Sequence, residues 1–249
     1  MNYLLEVCSG SLTSALNAQL GGAGRVELCE NLKEGGTTPC PSSIMMARKL
    51  LKIPLFVLIR PRTGDFLYDD LEFDQMKEDI IFCKGQGAQG VVFGMLKPDG
   101  SVDMDRNAEL IRLACPLQVT FHRAFDMASD AFQALEDIIS LGIERILTSG
   151  QAANAAEGAD LIAELGNRAS HRIIIMPGGG ITEYNVPGLI KKTGAREVHA
   201  SLRSPVKSRM QFRNGKAFMG LNSEDQYTWT ETDPERVRNF IKRLNKSPL

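Results

Sequence analysis

Short apolar runs separated by Gly, Pro or polar clusters recur along the whole chain. Eight of these runs predict β-strands. The predicted strands cover residues 3–8, 26–29, 55–60, 90–93, 117–122, 145–148, 172–176 and 197–200. Between them, residues 71–84, 106–114, 131–140 and 153–165 predict helices; the stretch 131–140, for example, places Phe132, Leu135, Ile138 and Ile139 on one buried face.

This alternation of strand and helix predicts the fold class. Parallel strands joined by helices form an α/β sheet, and eight such units close into a (β/α)8 TIM barrel. A length of 249 residues suits one such barrel. We therefore predict a single TIM-barrel domain over residues 1–249, with an extended segment after strand eight. A doubly wound open sheet is the main competing fold, and length alone also allows two domains.

Loop lengths distinguish the two ends of the predicted barrel. The connections after strands two, three and eight are long, at residues 30–41, 61–70 and 201–233. Barrel proteins place their ligands on the face formed by the loops that follow the strands. Function is expected there, and the segment 203–229 is predicted to be either an ordered lid or a subunit contact.

Composition and charge limit the kinds of partner. The chain is 43% hydrophobic and 24% charged, with 29 basic and 30 acidic residues and a net charge of −1, so it lacks the basic excess of a nucleic-acid-binding protein. No apolar stretch is long enough for a membrane span, and the first residues do not resemble a signal peptide. We expect a cytoplasmic protein whose five cysteines are free thiols.

Strand alternation predicts which side chains point into the barrel. Successive side chains of a strand face opposite sides, and the apolar alternates must pack against the outer helices. In the first two strands this places Glu6, Cys8, Glu27 and Cys29 toward the lumen. The two thiols lie at equivalent positions of neighbouring strands, so we expect them to be close together.

Paired thiolates suit a soft ion of low coordination number, and thiolate selects Cu(I) over hard cations. Cys8 and Cys29 are therefore the candidate metal ligands, because no further Cys or His follows the spacing of a closed zinc site. The alternative is that both thiols serve only as small packing residues.

Other ionisable residues are also predicted to lie in or near the lumen. Glu6, Glu27, Arg60, His122 and His199 are candidate catalytic residues. Acid–base work by Glu6, Glu27 or His122 is possible, since burial beside Arg60 can alter their pKa values. The structural alternative is a self-satisfied network in which Arg60 neutralises Glu6 or Glu27.

A glycine-rich turn after strand seven is a candidate anion site. Gly178, Gly179 and Gly180 lie where barrel proteins often bind phosphate, and Ser201 after strand eight completes the site. The alternative is that the glycines merely permit a tight exit from the strand.

Several motifs resemble the CutC copper homeostasis family. The matching stretches are LLEVC (4–8), GRVELC (24–29), EGGTTP (34–39), IRPRTGDFLY (59–68), VTFHRAFDM (119–127), ILTSGQ (146–151), MPGGGIT (176–182), EVHAS (197–201) and MQFRN (210–214). The resemblance implies a cytosolic, often oligomeric βα barrel that binds Cu(I), and its proposed copper-ligating cysteines match Cys8 and Cys29. We therefore expect a Cu(I)-binding homo-oligomer.

Two other functions stay open at this point. One is an enzyme acting on a small phosphorylated or carboxylated substrate, with the carboxylates, Arg60 and His122 as chemistry and the glycine turn as anion site. The other is a barrel used as an assembly scaffold, with the segment after strand eight forming subunit contacts.

Overall fold

The structure is a computed structural model, and it describes residues 3–214, 216–217 and 226–246. Within these residues the main sheet holds eight strands. They are β1 (Leu4–Ser9), β2 (Arg25–Leu28), β3 (Leu55–Leu58), β4 (Gly90–Phe93), β5 (Gln118–Phe121), β6 (Arg145–Thr148), β7 (Ile174–Pro177) and β8 (Glu197–Ala200). Each overlaps the strand that was expected at its place in the chain.

Helices follow the strands. They are α1 (Leu12–Gly21), α2 (Pro41–Leu50), α3 (Asp70–Gly85), α4 (Met104–Ala114), α5 (Ala131–Ser140), α6 (Ala159–Ala169), α7 (Val186–Thr193) and α8 (Pro234–Asn245). Two short 3-10 helices, Leu32–Glu34 and Arg123–Met127, lie in the loops after β2 and β5. In the part of the chain that the structure describes, no helix combines the length and apolar character that crossing a bilayer requires.

The strand order is that of a barrel. Hydrogen-bonded neighbours run β7-β6-β5-β4-β3-β2-β1-β8, with parallel pairing throughout. β7 and β8 lie in contact across the remaining gap, so the barrel is nearly closed. The predicted TIM barrel is therefore confirmed, and the doubly wound sheet, whose strand order reverses partway, is wrong.

Polar side chains fix where many of the helices begin. Ser11, Asp69, Asp103, Asp130 and Asp233 are the N-caps of α1, α3, α4, α5 and α8, and each accepts a hydrogen bond from a backbone amide of the first turn. Such caps satisfy amides that have no partner inside the helix. They define where each loop after a strand ends.

The start of α6 differs from the prediction. A helix was expected over residues 153–165, but α6 begins only at Ala159. Asn154 Oδ1 accepts hydrogen bonds at 3.1 Å from the amides of Ala156 and Glu157. This local turn takes the amide of Glu157, which a helix beginning at residue 153 would bond to the carbonyl of Ala153, so the helix starts later.

Two layers of side chains surround the strands. Apolar alternates pack between the strands and the helices, and four from the first two strands are Leu5, Val7, Val26 and Leu28. A separate small cluster inside the barrel contains Cys8, Cys29, Phe56, Leu58 and Val92. The side-chain directions expected from alternation in β1 and β2 are therefore correct.

The segment after β8 contains an antiparallel hairpin. Its strands are β9 (Arg203–Lys207) and β10 (Thr228–Thr232), while residues 215 and 218–225 of this segment lie outside the described residues. Arg203 and Thr230 line a cavity at the barrel mouth. The hairpin therefore stands beside the mouth, as expected for a lid, and its role as a subunit contact stays a prediction.

Gly90 tests the packing of the lumen. A Cβ at this position would lie 2.5 Å from the ring of Phe56. The guanidinium carbons of Arg25 and Arg145 lie 4.7 and 5.2 Å from the centroid of the same ring and hold it in place. Because the ring cannot move freely, we expect Gly90→Ala to lower the free energy of unfolding by about 1–3 kcal/mol, measured by urea denaturation.

Gly188→Ala is the matched control for this substitution. Gly188 lies inside α7, and the space that a Cβ would enter there is open, so alanine should raise the free energy of unfolding by about 0.5–1 kcal/mol. A Gly90→Ala protein as stable as the wild type would contradict the packing argument.

Candidate metal and ligand site in the barrel lumen

A layer of charged side chains fills the lower part of the lumen. Arg25 and His199 are the register partners of Glu6 on β2 and β8. Glu6 forms an ion pair with Arg25, and His199 Nδ1 lies 2.7 Å from Glu6 Oε1. Arg25 also binds Glu197 at 2.7 Å, and Arg145 reaches the same carboxylate at 3.2 Å. The parallel register therefore assembles a buried network across β8, β1, β2 and β6.

Glu6 is ionised in this network although it is fully buried. Burial alone would raise its pKa, but the charge of Arg25 and the hydrogen bonds from His199 and Arg25 outweigh burial and lower the pKa to about 2. A buried carboxylate is stable only when it is paired in this way.

Arg60 does not take part in the charge network that the sequence suggested for it. Instead of neutralising Glu6 or Glu27, it donates to backbone carbonyls, those of Glu34, Gly36 and Gly64. The reason is its position. Arg60 follows the end of β3, where carbonyl groups from the loops after β2 and β3 surround its guanidinium. Glu6 lies lower, beside Arg25.

The two candidate thiols lie together above this charged layer. Cys8 Sγ is 3.4 Å from Cys29 Sγ, and Cys29 Sγ lies 3.5 Å from the carbonyl oxygen of Ser9. The hydrogen bond with Cys29 and burial raise the pKa of Cys8 well above its ordinary value. The bond to Cys8 lowers the pKa of Cys29, but burial and the charge of Glu27 outweigh it. Both groups are therefore neutral thiols at rest.

Glu27 and His199 flank the thiol pair. The ligand atoms of Cys8, Glu27 and Cys29 all lie within 4.8 Å of one another, and His199 Nε2 is 3.8 Å from Glu27 Oε2. Burial raises the pKa of Glu27. Burial would lower the pKa of His199, yet its contacts with Cys8, Glu27 and Glu6 raise it well above the ordinary value. The imidazolium therefore lies between two carboxylates and a thiol.

These groups line a small cavity, which we call the inner chamber. Its volume is about 90 Å³. Its polar lining is formed by Cys8, Glu27, Cys29, Arg60, His122, Arg123 and His199. Four of the five candidate catalytic residues thus meet here, whereas Glu6 lies behind His199 and does not line the chamber.

His122 brings an unpartnered donor to the inner chamber. Its Nδ1 accepts a hydrogen bond from the amide of Ala124 at 3.2 Å, while Nε2 is buried without a hydrogen-bond partner among the described residues. Burial, together with the charge of Arg60, lowers the pKa of His122 to about 3. The ring is neutral, so Nε2 carries the proton. A buried donor of this kind calls for a ligand or water.

A larger cavity opens above the inner chamber, and we call it the mouth cavity. It measures about 590 Å³ and shares Cys8, Leu32, Arg123 and His199 with the chamber. Three of the predicted anion-site residues line it, namely Gly179, Gly180 and Ser201. Gly178 does not line it. The amide of Gly178 donates to the carbonyl of Thr148 in the sheet, and a Cβ at this position would lie 2.4 Å from Leu147 Cδ1.

Sequence reasoning missed two arginines of the lumen. Arg25 has the same alternation as Glu27 and Cys29, but the second strand was expected to begin one residue later, at Val26. Arg145 lies two residues before Leu147 on the same strand, so both side chains point to the same face, and Leu147 lines the inner chamber. Starting the second strand one residue earlier would have revealed Arg25, and applying the alternation to the sixth strand, which was predicted to begin at Arg145, would have revealed that residue.

Comparisons with known proteins agree with this architecture. A profile of the CutC family matches residues 3–204. A CutC family protein of Chromobacterium violaceum is 50% identical over 247 residues, 99% of this chain and 100% of that protein. A protein of Mus musculus named copper homeostasis protein cutC homolog is 48% identical over 239 residues, 96% of this chain and 88% of that protein.

Solved structures extend the comparison. A crystal structure of a CutC protein from Streptococcus agalactiae has a TM-score of 0.77 at 34% identity and covers 80% of this chain and 98% of its own. Phosphoribosylanthranilate isomerase from Thermotoga maritima has a TM-score of 0.58 at 14% identity, with 98% of both chains covered, which shows the fold alone. Fold and lumen thus define a TIM-barrel protein with a buried thiol pair. The chain belongs to the CutC family of copper homeostasis proteins.

Glu6 is expected to control acid stability. Its carboxylate stabilises the fold fully above the ordinary pKa of 4.5, and this contribution is lost as the pH falls toward about 2. Glu6→Gln leaves Arg25 and His199 without their shared anion, so we expect a loss of about 3–5 kcal/mol at pH 7. The variant should also lose less stability than the wild type between pH 4.5 and 2, measured by urea denaturation at each pH.

Glu164→Gln is the control for this substitution. Glu164 pairs with Arg168 on the surface of α6, and both side chains are half-exposed, so its loss should cost less than about 1 kcal/mol. Equal effects of the two substitutions would show that burial does not strengthen the dependence on Glu6.

Proposed function

We propose that this protein binds Cu(I) through the thiolates of Cys8 and Cys29 at the C-terminal ends of the first two strands. The observation that carries the proposal is the 3.4 Å separation of the two sulfur atoms inside the barrel. Metal–thiolate distances are about 2.3 Å, so both sulfurs can reach one ion. Thiolates select Cu(I) over hard cations.

The surroundings of the thiol pair also suit a monovalent cargo ion. Deprotonating two thiols adds two negative charges, and Cu(I) returns one positive charge. The imidazolium of His199 beside Cys8, and the positive charge of Arg203, which acts on Cys29, offset the remainder. Glu27 is close enough to serve as a third ligand. The name of the Mus musculus relative refers to copper homeostasis, in agreement with this cargo.

The copper site is tested by anaerobic titration with a competing Cu(I) chelator. We expect one tightly bound Cu(I) per wild-type chain and none in the Cys8→Ser, Cys29→Ser double variant. Cys40→Ser removes an exposed thiol outside the lumen and should leave the stoichiometry unchanged. Unaltered affinity in the double variant would exclude the proposed ligands.

We also propose that the protein acts in the cytoplasm as a homo-oligomer, as the family resemblance implies. Apolar side chains on the segment after β8 support assembly, since Met210, Phe212 and Trp229 are exposed by 60, 75 and 46%. Exposed apolar groups of this size are typical of contact surfaces.

A second candidate function is catalysis on a small phosphorylated or carboxylated substrate. The observation that favours it is the unpartnered Nε2 of His122 in the same chamber as Glu27 and His199. A neutral imidazole that donates, a carboxyl group of raised pKa and an imidazolium are suited to proton transfer. Glu27 would be the base, and His122 would donate to the substrate.

This second function predicts proton exchange at a carbon next to a carbonyl. Phosphorylated aldehydes and ketones incubated with the protein in D₂O should incorporate deuterium, followed by proton NMR. Glu27→Gln should slow the exchange about 100-fold or more, whereas Glu164→Gln should not. If no compound exchanges, or if Glu27→Gln exchanges at the wild-type rate, Glu27 is not a catalytic base of this reaction.

A further inference from the structure

The charged residues that line the mouth cavity are all basic. Lys33, Arg123, His199, Arg203 and Arg236 contribute to its wall, and no Asp or Glu does so among the described residues. A concave wall of one sign concentrates ions of the opposite sign. The wall of this cavity therefore favours an anionic ligand.

The basic residues are not equally available to a ligand. Arg236 is held by Glu183 through two hydrogen bonds of 3.1 and 2.9 Å. Arg123 binds Asp126 at 2.7 Å. Arg203 forms no ion pair with a carboxylate of the described residues, and its side-chain contact there is a 3.5 Å bond to a threonine hydroxyl. Arg203 thus carries the uncompensated charge at this cavity.

The turn after β7 adds neutral donors. Gly179 and Gly180 have φ angles of +98° and +69°, a left-handed backbone that only glycine adopts readily. The amides of Gly179, Gly180 and Ile181 have no acceptor among the described residues, in contrast to the amides on either side, which bond to Thr148 and Asn185. The turn therefore holds three successive N–H groups without an acceptor among the described residues, and all three residues line the cavity.

Ser201 faces the same cavity from the end of β8. Its hydroxyl has no partner among the described residues, although its carbonyl accepts a bond from Thr232. Three amides, a hydroxyl and a guanidinium match the several acceptor oxygens of a phosphate group better than the two oxygens of a carboxylate.

We propose that the mouth cavity binds a small phosphorylated molecule, with its phosphate on the turn Gly179–Gly180–Ile181, Ser201 and Arg203. The volume of about 590 Å³ is that of a typical metabolite site. The rest of the molecule extends toward Cys8 and His199, where the mouth cavity meets the inner chamber. None of the phosphate-binding groups is a thiol, so phosphate binding can be tested in the copper-free protein whatever the outcome for copper.

Calorimetric titration with inorganic phosphate tests this site. Copper-free, reduced protein at low ionic strength should bind one phosphate per chain. Arg203→Gln should weaken binding about tenfold or more, since it removes a charged donor. Ser201→Ala should weaken it by a smaller factor, and this variant serves as the test if Arg203→Gln does not fold.

Arg112→Gln is the matched control, because it removes one positive charge from an exposed position on α4. It should leave phosphate affinity unchanged. The proposal is overturned if the wild type shows no saturable binding, or if Arg112→Gln weakens binding as much as Arg203→Gln. The first result would mean that the mouth cavity holds no phosphate site, and the second that phosphate responds only to the overall positive charge of the protein.

Discussion

The pairing of the buried Glu6 carboxylate with Arg25 and His199 is the interaction on which the lumen depends. Glu6 is fully buried, and a charge in that position is tolerated only with close partners. The parallel register supplies them, because Arg25 and His199 are its direct neighbours on β2 and β8. Through the same pair, His199 is fixed against Cys8 and Glu27. The charged layer therefore closes the lower barrel and orients the site above it.

Much of this arrangement could be predicted from the sequence. Apolar runs located the eight strands, and alternation within β1 and β2 placed Cys8 and Cys29 on a common inner face. The ion pairs could not be predicted in the same way. Arg60 was one possible partner of the carboxylates, yet loop carbonyls bind it. Pairing depends on how far along the barrel axis each side chain lies, and the strand boundaries determine that position. The second strand was predicted to begin one residue too late, at Val26, so Arg25 was missed.

The structure places two chemically different regions one above the other. The inner chamber offers sulfur, carboxylate and imidazole groups, whereas the mouth cavity offers amides, a hydroxyl and cations. Cys8 and His199 border both. The proposed Cu(I) site accounts for the thiol pair, but a two-thiol carrier does not need the basic mouth. An anion bound there would lie directly above the thiols, so it would control access to them.

The most direct test of the account is the position of copper in crystals of the Cu(I)-loaded, reduced protein, located by anomalous scattering at the copper edge. The account predicts one peak between Cys8 Sγ and Cys29 Sγ, close to Glu27. A peak at the exposed Cys40 or Cys115, or no peak in the lumen of a loaded protein, would contradict it.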